Sequence, residues 1–222
     1  MKQHEWRPGR VRSIRRATAR MIDLAIQPDE WIPHRGGQHY EIRFPGELLS
    51  RKFSIASGPA RTESLRFGVQ VLEKGMLSPR LAACRPGDRL EVRGPTGVAF
   101  PLHPDQEGPV VLIGGGSGIT PLIALYDEQR ATTSRPPLFL ESAVSPDHIF
   151  CYEEYRDALI TRFTGTAGRM DKSYLEDTLS EVLDDPGIAV RICGPSAFMG
   201  AMVAALMELG VAPHAIRSEA FV

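Results

Sequence analysis

The sequence predicts two domains, an antiparallel β-barrel followed by an α/β unit with a mostly parallel sheet. Residues 1–109 hold at least six short apolar/polar alternations joined by turn residues, whereas strand and helix patterns alternate from residue 110 onward. Between them Pro101, Pro104, Gly108 and Pro109 punctuate the chain, placing the expected boundary between residues 104 and 105. A length of 222 residues with 42% hydrophobic composition is enough for two small cores.

In the first half, strands are expected at Arg10–Arg16, Met21–Ile26, His39–Phe44, Lys52–Ala56, Leu65–Leu72 and Arg89–Arg93, with a short helix at Ser78–Ala83. The alternation is clearest in Leu65, Phe67, Val69 and Val71, which share one face. Gly94-Pro95-Thr96-Gly97 reads as a tight turn. In the second half, strands are expected at Val110–Ile113, Leu138–Glu141, Ile160–Thr164 and Ile188–Cys193. Helices are expected at Leu122–Ala131, Tyr152–Leu159, Ser173–Leu183 and Ala197–Leu209. The apolar spacing of Phe198, Met199, Met202, Val203, Leu206 and Met207 is that of a core-facing helix.

Charge and cysteine content narrow the function classes. With 26 basic and 27 acidic residues, the net charge of −1 gives no general nucleic-acid surface. The three cysteines, Cys84, Cys151 and Cys193, form no CxxC element, so a zinc or iron–sulfur centre within the chain is not expected. The odd cysteine count and the lack of a signal-peptide pattern lead to an intracellular, cytoplasmic expectation, and no run has transmembrane length.

The run Val110-Val111-Leu112-Ile113 enters Gly114-Gly115-Gly116-Ser117-Gly118 and then Ile119-Thr120-Pro121. A strand turning at once into a helix presents backbone amides that can hold phosphate or pyrophosphate. The spacing matches neither GxGxxG nor a P-loop, and such turns are also built for structural reasons. In Arg51-Lys52-Phe53-Ser54, Arg51 can bind phosphate and Phe53 can lie against a flat ligand, although the local pattern by itself favours a solvent salt bridge for Arg51 and a place in the barrel core for Phe53. Ser78 reads either as a helix cap or as an anion contact.

In order along the chain, RKFS (51–54), GMLS (75–78), GPTG (94–97), GGGSGITP (114–121), CGP (193–195) and EAF (219–221) resemble the ferredoxin-NADP reductase superfamily. The likeness is greatest to compact NAD(P)H flavin reductases and to flavin-dependent oxygenase reductase components without a fused ferredoxin domain. The resemblance implies a flavin-binding β-barrel over 1–104 and a Rossmann-like nicotinamide-binding α/β domain over 105–222. It implies FAD as cofactor, with FMN as the alternative, and NADH or NADPH as electron donor.

By the same resemblance Arg51 contacts the flavin phosphate, Phe53 packs on the ring system, and Ser54 stands near flavin N5. Ser78, with the Gly75 and Leu77 backbone, contacts the flavin pyrophosphate. Gly115, Gly116, Gly118, Ile119 and Thr120 form the dinucleotide loop, and Pro121 leads from it into the helix. Cys193, Gly194 and Pro195 bring nicotinamide to the flavin, while Phe221 stacks near the flavin beside Glu219. Ser54, Cys193, Glu219 and Phe221 are thus the candidate catalytic residues, Cys193 as a wall rather than a nucleophile.

Hydride transfer from nicotinamide to flavin is the implied reaction. The implied acceptor is a separate ferredoxin, another iron–sulfur protein or an oxygenase component. A free-flavin or ferric-compound reductase and a noncatalytic redox-sensing module are the alternatives. Glu141 and Ala143 stand where many relatives have a glycine and a phosphate-contacting arginine, which implies a lean toward NADH. Arg169 reads as a dinucleotide contact or as a surface arginine.

Overall fold

The alternating runs of the first half become β1 (Arg7–Arg16), β2 (Met21–Pro28), β3 (His39–Arg43), β4 (Ser50–Ser54), β5 (Leu65–Gln70) and β6 (Arg89–Thr96). A five-residue helix, α1 (Ser78–Ala82), lies between β5 and β6. The computed structural model describes residues 4–97, 100, 102 and 106–220. Pro101, Pro104 and the expected boundary at 104/105 lie outside the described residues.

The six strands form one antiparallel sheet in the order β4-β3-β6-β1-β2-β5. Its two edge strands are brought together by an isolated pairing of Ile55 with Phe67, just beyond the end of β4. The period of two sends Leu24, Ile26, Ile42, Leu65, Phe67, Val69, Leu90 and Val92 into a single core, as the barrel pattern requires. One expectation fails here: Gly94-Pro95-Thr96 continues β6 instead of turning. Thr96 pairs with His39 of β3, and its hydroxyl lies 2.9 Å from His39 Nε2.

The second half contributes β7 (Val110–Gly115), α2 (Ile119–Thr132), β8 (Leu138–Ala143), α3 (Tyr152–Tyr155), β9 (Leu159–Phe163) and α4 (Lys172–Leu179). It ends with β10 (Ala189–Gly194), α5 (Ser196–Glu208) and β11 (Ile216–Ala220). These five strands are all parallel, in the order β11-β10-β7-β8-β9. The chain runs outward from β7 to β9 and then returns to β10 on the other side of β7. The switch point of the sheet therefore lies between β7 and β10, where parallel α/β sheets place their ligands.

Two departures from expectation have the same origin in strand pairing. The helix expected over Tyr152–Leu159 stops at Tyr155, because Leu159 is taken by β9 to pair with Phe139. Strand β11 has no sequence counterpart above, since Ile216 is its one large apolar residue and its pairing with β10 is a long-range event. Met207, expected in the core, is 50% exposed at the margin of α5.

Helix α2 is buried all round at its start, from Ile119 through Tyr126. One side packs on the parallel sheet and the other meets the barrel. Glycines make the second contact possible. A β-carbon at Gly36 would stand 2.6 Å from Leu125 Cα, one at Gly58 2.6 Å from Asp127 Cβ, and one at Gly68 2.7 Å from Thr120 Oγ1.

Polar groups finish the seam. Gly36 N–H donates to Glu128 at 2.6 Å, and Arg66 of β5 donates to Glu154 of α3 at 2.7 Å. Arg66 also holds Asp23 of β2 through two bonds, at 2.9 and 2.8 Å, and donates to Cys151 Sγ at 2.8 Å.

His34, almost fully buried, lies with Nε2 2.9 Å from the Ser57 carbonyl, while Nδ1 has no partner. Nε2 therefore carries the proton in the neutral ring. Burial lowers its pKa below the ordinary 6.5, against the pull of the Ser57 carbonyl and Glu128. Above 6.5 both folded and unfolded rings are neutral and the full stability is present. On acidification the unfolded chain takes up a proton that the folded ring resists, so stability falls. Urea midpoints followed downward through that range should decline in the parent protein and lose this component in His34→Gln; parallel curves would contradict the assignment.

Among the described residues no helix is long and apolar enough to cross a membrane, and no cluster of three or more His, Cys, Asp or Glu could hold a metal. The cysteines are all free and buried.

Candidate functional site

A cleft of about 510 Å³ opens where the barrel meets the switch point of the parallel sheet. The barrel side supplies Arg51, Phe53 and Ser54 from β4, Gly68 and Gln70 from β5, and the loop leading to α1. The second half supplies Ser117, Thr120 and Pro195. The volume is in the range of small-molecule and cofactor sites.

Strand β4 ends at the cleft, and its last residues divide between core and mouth. Ser54 is buried, Phe53 is half-buried with part of its ring against the barrel core, and Arg51 is exposed at the rim. Arg51 donates to its neighbour's carbonyl, Ser50 O, at 2.8 Å, so its remaining N–H groups face outward.

The loop 72–78 is tied into a small loop of its own. Leu72 N–H donates to Ser78 Oγ at 3.1 Å, and Gly75 N–H donates to Leu72 O at 2.8 Å. Ser78 is therefore not a helix cap, as one sequence reading had it; Leu77 occupies the cap position and has no capping side chain. Side chains at Gly75 are excluded because a β-carbon there would stand 2.9 Å from Ser78 Oγ. Lys74 and the exposed Leu72 and Met76 complete this wall.

Across the cleft, β7 turns at Gly116, whose φ of +59° is left-handed, and α2 starts at Ile119. Thr120 is buried and donates its hydroxyl to Ser117 O at 2.9 Å, which closes the first turn. The turn presses on the end of β10: a β-carbon at Gly118 would stand 2.1 Å from the Cys193 carbonyl oxygen. Phe198 covers Gly115 and Gly194 from the opposite face, where β-carbons would meet its ring at 2.7 and 2.9 Å. Pro195 then reaches the cleft.

The remaining candidates are placed differently from one another. Cys193 lies beneath the cleft surface, fully buried, with its thiol donating to Glu219 O at 3.3 Å. Burial first, then the charges of Glu219 and Glu141, push its pKa up, so it is an inert thiol. Glu219 is half-buried; burial raises its carboxyl pKa against the pull of Lys52, and its Oε2 is buried without a partner. Phe221 lies outside the described residues. Arg169 is exposed in the turn before α4 and does not line the cleft.

Glu141 overturns its expectation. Although the lean toward NADH needs an acidic group within reach of the dinucleotide, its carboxyl is wholly buried beneath the glycine turn. The sequence reading also missed Gly68, Gln70, Lys74 and Ser117 as lining residues. The signal for the first two was the outward face of β5, on which a glycine stands in the middle of a strand.

Chemically, the cleft combines rim cations at Arg51, Lys52 and Lys74, a ring edge at Phe53, hydroxyls at Ser54 and Ser78, and a glycine turn at a helix start. This donor set suits a flat ring system joined to a pyrophosphate, so the residues fit a flavin dinucleotide on the barrel side.

Comparison with known proteins agrees. Residues 13–100 match the family described as the oxidoreductase FAD-binding domain. The chain is 30% identical over 148 residues to the reductase component of propane 2-monooxygenase from Mycolicibacterium smegmatis, covering 65% of this chain and 42% of that protein. It is 26% identical over 226 residues to the ferredoxin–NAD(P)(+) reductase component of a Ralstonia naphthalene 1,2-dioxygenase/salicylate 5-hydroxylase system, covering 96% and 68%. This chain thus spans less than half of the first relative and about two thirds of the second.

In fold it matches the flavohem-like FAD/NAD-binding domain of nitric oxide dioxygenase from Vibrio cholerae. The TM-score is 0.82 at 22% identity, covering 97% of this chain and 98% of that domain. Residues 13–100 thus resemble oxidoreductase FAD-binding domains, and the chain shares its two-domain fold with the flavohem-like FAD/NAD-binding domain.

Proposed function

We propose that this protein is a flavin-dependent oxidoreductase of the cytoplasm that takes hydride from NADH or NADPH into an FAD held in the cleft. It then delivers the two electrons, one at a time, to a separate ferredoxin, iron–sulfur protein or oxygenase component. The observation that carries the proposal is the composition of the cleft. One wall is Phe53 and Ser54 at the end of a barrel strand, and the other is Ser117, Thr120 and Pro195 at the switch point. The relatives named as reductase components support the same choice of activity and acceptor. We divide the chain into a flavin half, 1–104, and a nicotinamide half, 105–222.

In this assignment Arg51 neutralises flavin phosphate, Phe53 supports the ring and Ser54 presents its hydroxyl near N5. The turn from Gly115 to Thr120 carries the nicotinamide dinucleotide, and Pro195 limits the depth to which it enters. Protein groups here act by holding two rings in register and excluding water. FAD supplies the capacity to accept a two-electron hydride and release single electrons. No protein acid or base would be required for the hydride transfer that these residues align.

Anaerobic mixing of the flavin-loaded protein with NADH, and separately with NADPH, tests the proposal. Rapid loss of flavin absorbance with at least one donor is expected, and release of FAD on denaturation should be seen by mass. Purified protein that retains flavin but is bleached by neither donor would instead indicate a redox-sensing module.

A further inference from the structure

Among the described residues two acids are buried, and they differ in surroundings. Asp23 is held by Arg15 and Arg66. Glu141 is 0% exposed, makes no ion pair among the described residues, and neither carboxyl oxygen has a hydrogen-bond partner. Its position follows from strand register. Thr161, Glu141, Gly114, Cys193 and Glu219 stand opposite one another across β9, β8, β7, β10 and β11, and so share one face of the sheet.

Gly114 leaves a gap in that row, and the Glu141 carboxyl fills it: a β-carbon at Gly114 would lie 2.0 Å from Oε2. The same space is closed by Ile119, the first residue of α2, whose Cα would be 3.4 Å from that β-carbon. The glycine turn therefore passes directly over this side chain. Burial raises the carboxyl pKa well above its ordinary value, and the Gly116 amide opposes the rise. The titratable groups on this face are the Cys193 thiol and, beyond it, Glu219; Thr161 is neutral. A carboxylic acid kept here has hydrogen-bonding capacity that no bond within the chain uses, which is costly unless the site's work requires it.

We propose that Glu141 is a positioning residue for the dinucleotide turn, its carboxyl filling the gap at Gly114 beneath Ile119 and offering its unused acceptor to the Gly116 amide when the turn takes up the dinucleotide, thereby fixing the path from β7 into α2. This rests on the assignment of the turn to the nicotinamide dinucleotide. Glutamine keeps the acceptor and the shape. Methionine keeps the volume and removes the acceptor, and it should fold at least as stably because an unsatisfied polar group is replaced by an apolar one.

Calorimetric titration of flavin-loaded protein with NAD+ is the test, with thermal unfolding and flavin content measured on the same samples. Glu141→Gln is expected to bind within about twofold of the parent, and Glu141→Met about tenfold more weakly, with flavin content unchanged and melting temperature not lowered. Gly114→Ala, which displaces the carboxyl while leaving it in the chain, should reproduce the loss and serves even where Glu141→Met does not fold. Parent-like affinity in Glu141→Met, or in Gly114→Ala, overturns the inference, as does a Glu141→Gln protein that binds as weakly as Glu141→Met. Failure of the parent itself to bind NAD+ overturns the assignment of the turn, and the inference falls with it.

Discussion

Arg66→Met is expected to lower stability by roughly 3–5 kcal/mol, the usual penalty for leaving one member of a buried ion pair behind. The Arg66 and Asp23 side chains are 7% and 8% exposed, and the guanidinium makes a two-point contact with the carboxylate. Removing it leaves Asp23 with Arg15, whose side chain is 64% exposed and contributes little. The same guanidinium also bonds Glu154 and Cys151 of the second half, so the loss reaches both halves at once. Cys151 needs no charge there: burial pushes its thiol up to about 12 despite Arg66. Urea unfolding is the direct measurement. The double variant Asp23→Asn, Arg66→Met should regain part of the stability, since it removes the stranded charge. A loss below about 1 kcal/mol in the single variant would contradict the role given to this cluster.

Gly118→Ala should separate the two cofactor functions. The added methyl would sit 2.1 Å from the Cys193 carbonyl oxygen and 2.7 Å from the Gly194 nitrogen. Both are main-chain atoms of β10, unable to swing aside as a flexible side chain would. Relief must come from the turn, which lifts away from the strand end that supports it. Overpacking of this kind costs about 1–3 kcal/mol, and placed on dinucleotide binding that is roughly a 5- to 150-fold loss in kcat/KM for NADH. Flavin content should stay at the parental level, because Arg51, Phe53, Ser54 and Ser78 are on the barrel. Stopped-flow bleaching beside a flavin-to-protein absorbance ratio measures both. Loss of flavin with an unaltered bleaching rate in the remaining holoprotein would reverse the assignment of the two walls.

Much of this fold is legible in the sequence, because each half has its own period. Leu65, Phe67, Val69 and Val71 alternate and do face one barrel core. The apolar run before Gly114 does become a central strand, flanked by β10 and β8. The site is legible where a motif lies at the end of an element, as with Phe53 and Ser54 on β4 and Thr120 at the start of α2.

What stayed hidden depends on partners distant in sequence. Glu141 closes an apolar run and reads locally as a polar strand end; only its register against Gly114 reveals that it points into the protein. Arg66 reads as the solvent side of an alternating strand, yet it faces the other half of the molecule. Helix α2 has apolar residues on two faces for the same reason, and β11 has too little apolar content to announce itself. The depth of Cys193 beneath the cleft follows from the turn at Gly118 lying over it.

The three glycine contacts on α2 have a mechanical consequence. Ordinarily two packed units meet through side chains, whose rotamers let the surfaces slide and settle. At Gly36, Gly58 and Gly68 the barrel contributes no side chain to that layer, and its main chain rests on Leu125 Cα, Asp127 Cβ and Thr120 Oγ1 of the helix. Residues 66 and 70 of β5 are about 13 Å apart along the strand, with Gly68 and Thr120 midway between them. This contact is a fulcrum, with the Arg66 cluster on one arm and Gln70, at the cleft, on the other. Prising the cleft open about this contact would load the ion pairs at the far end.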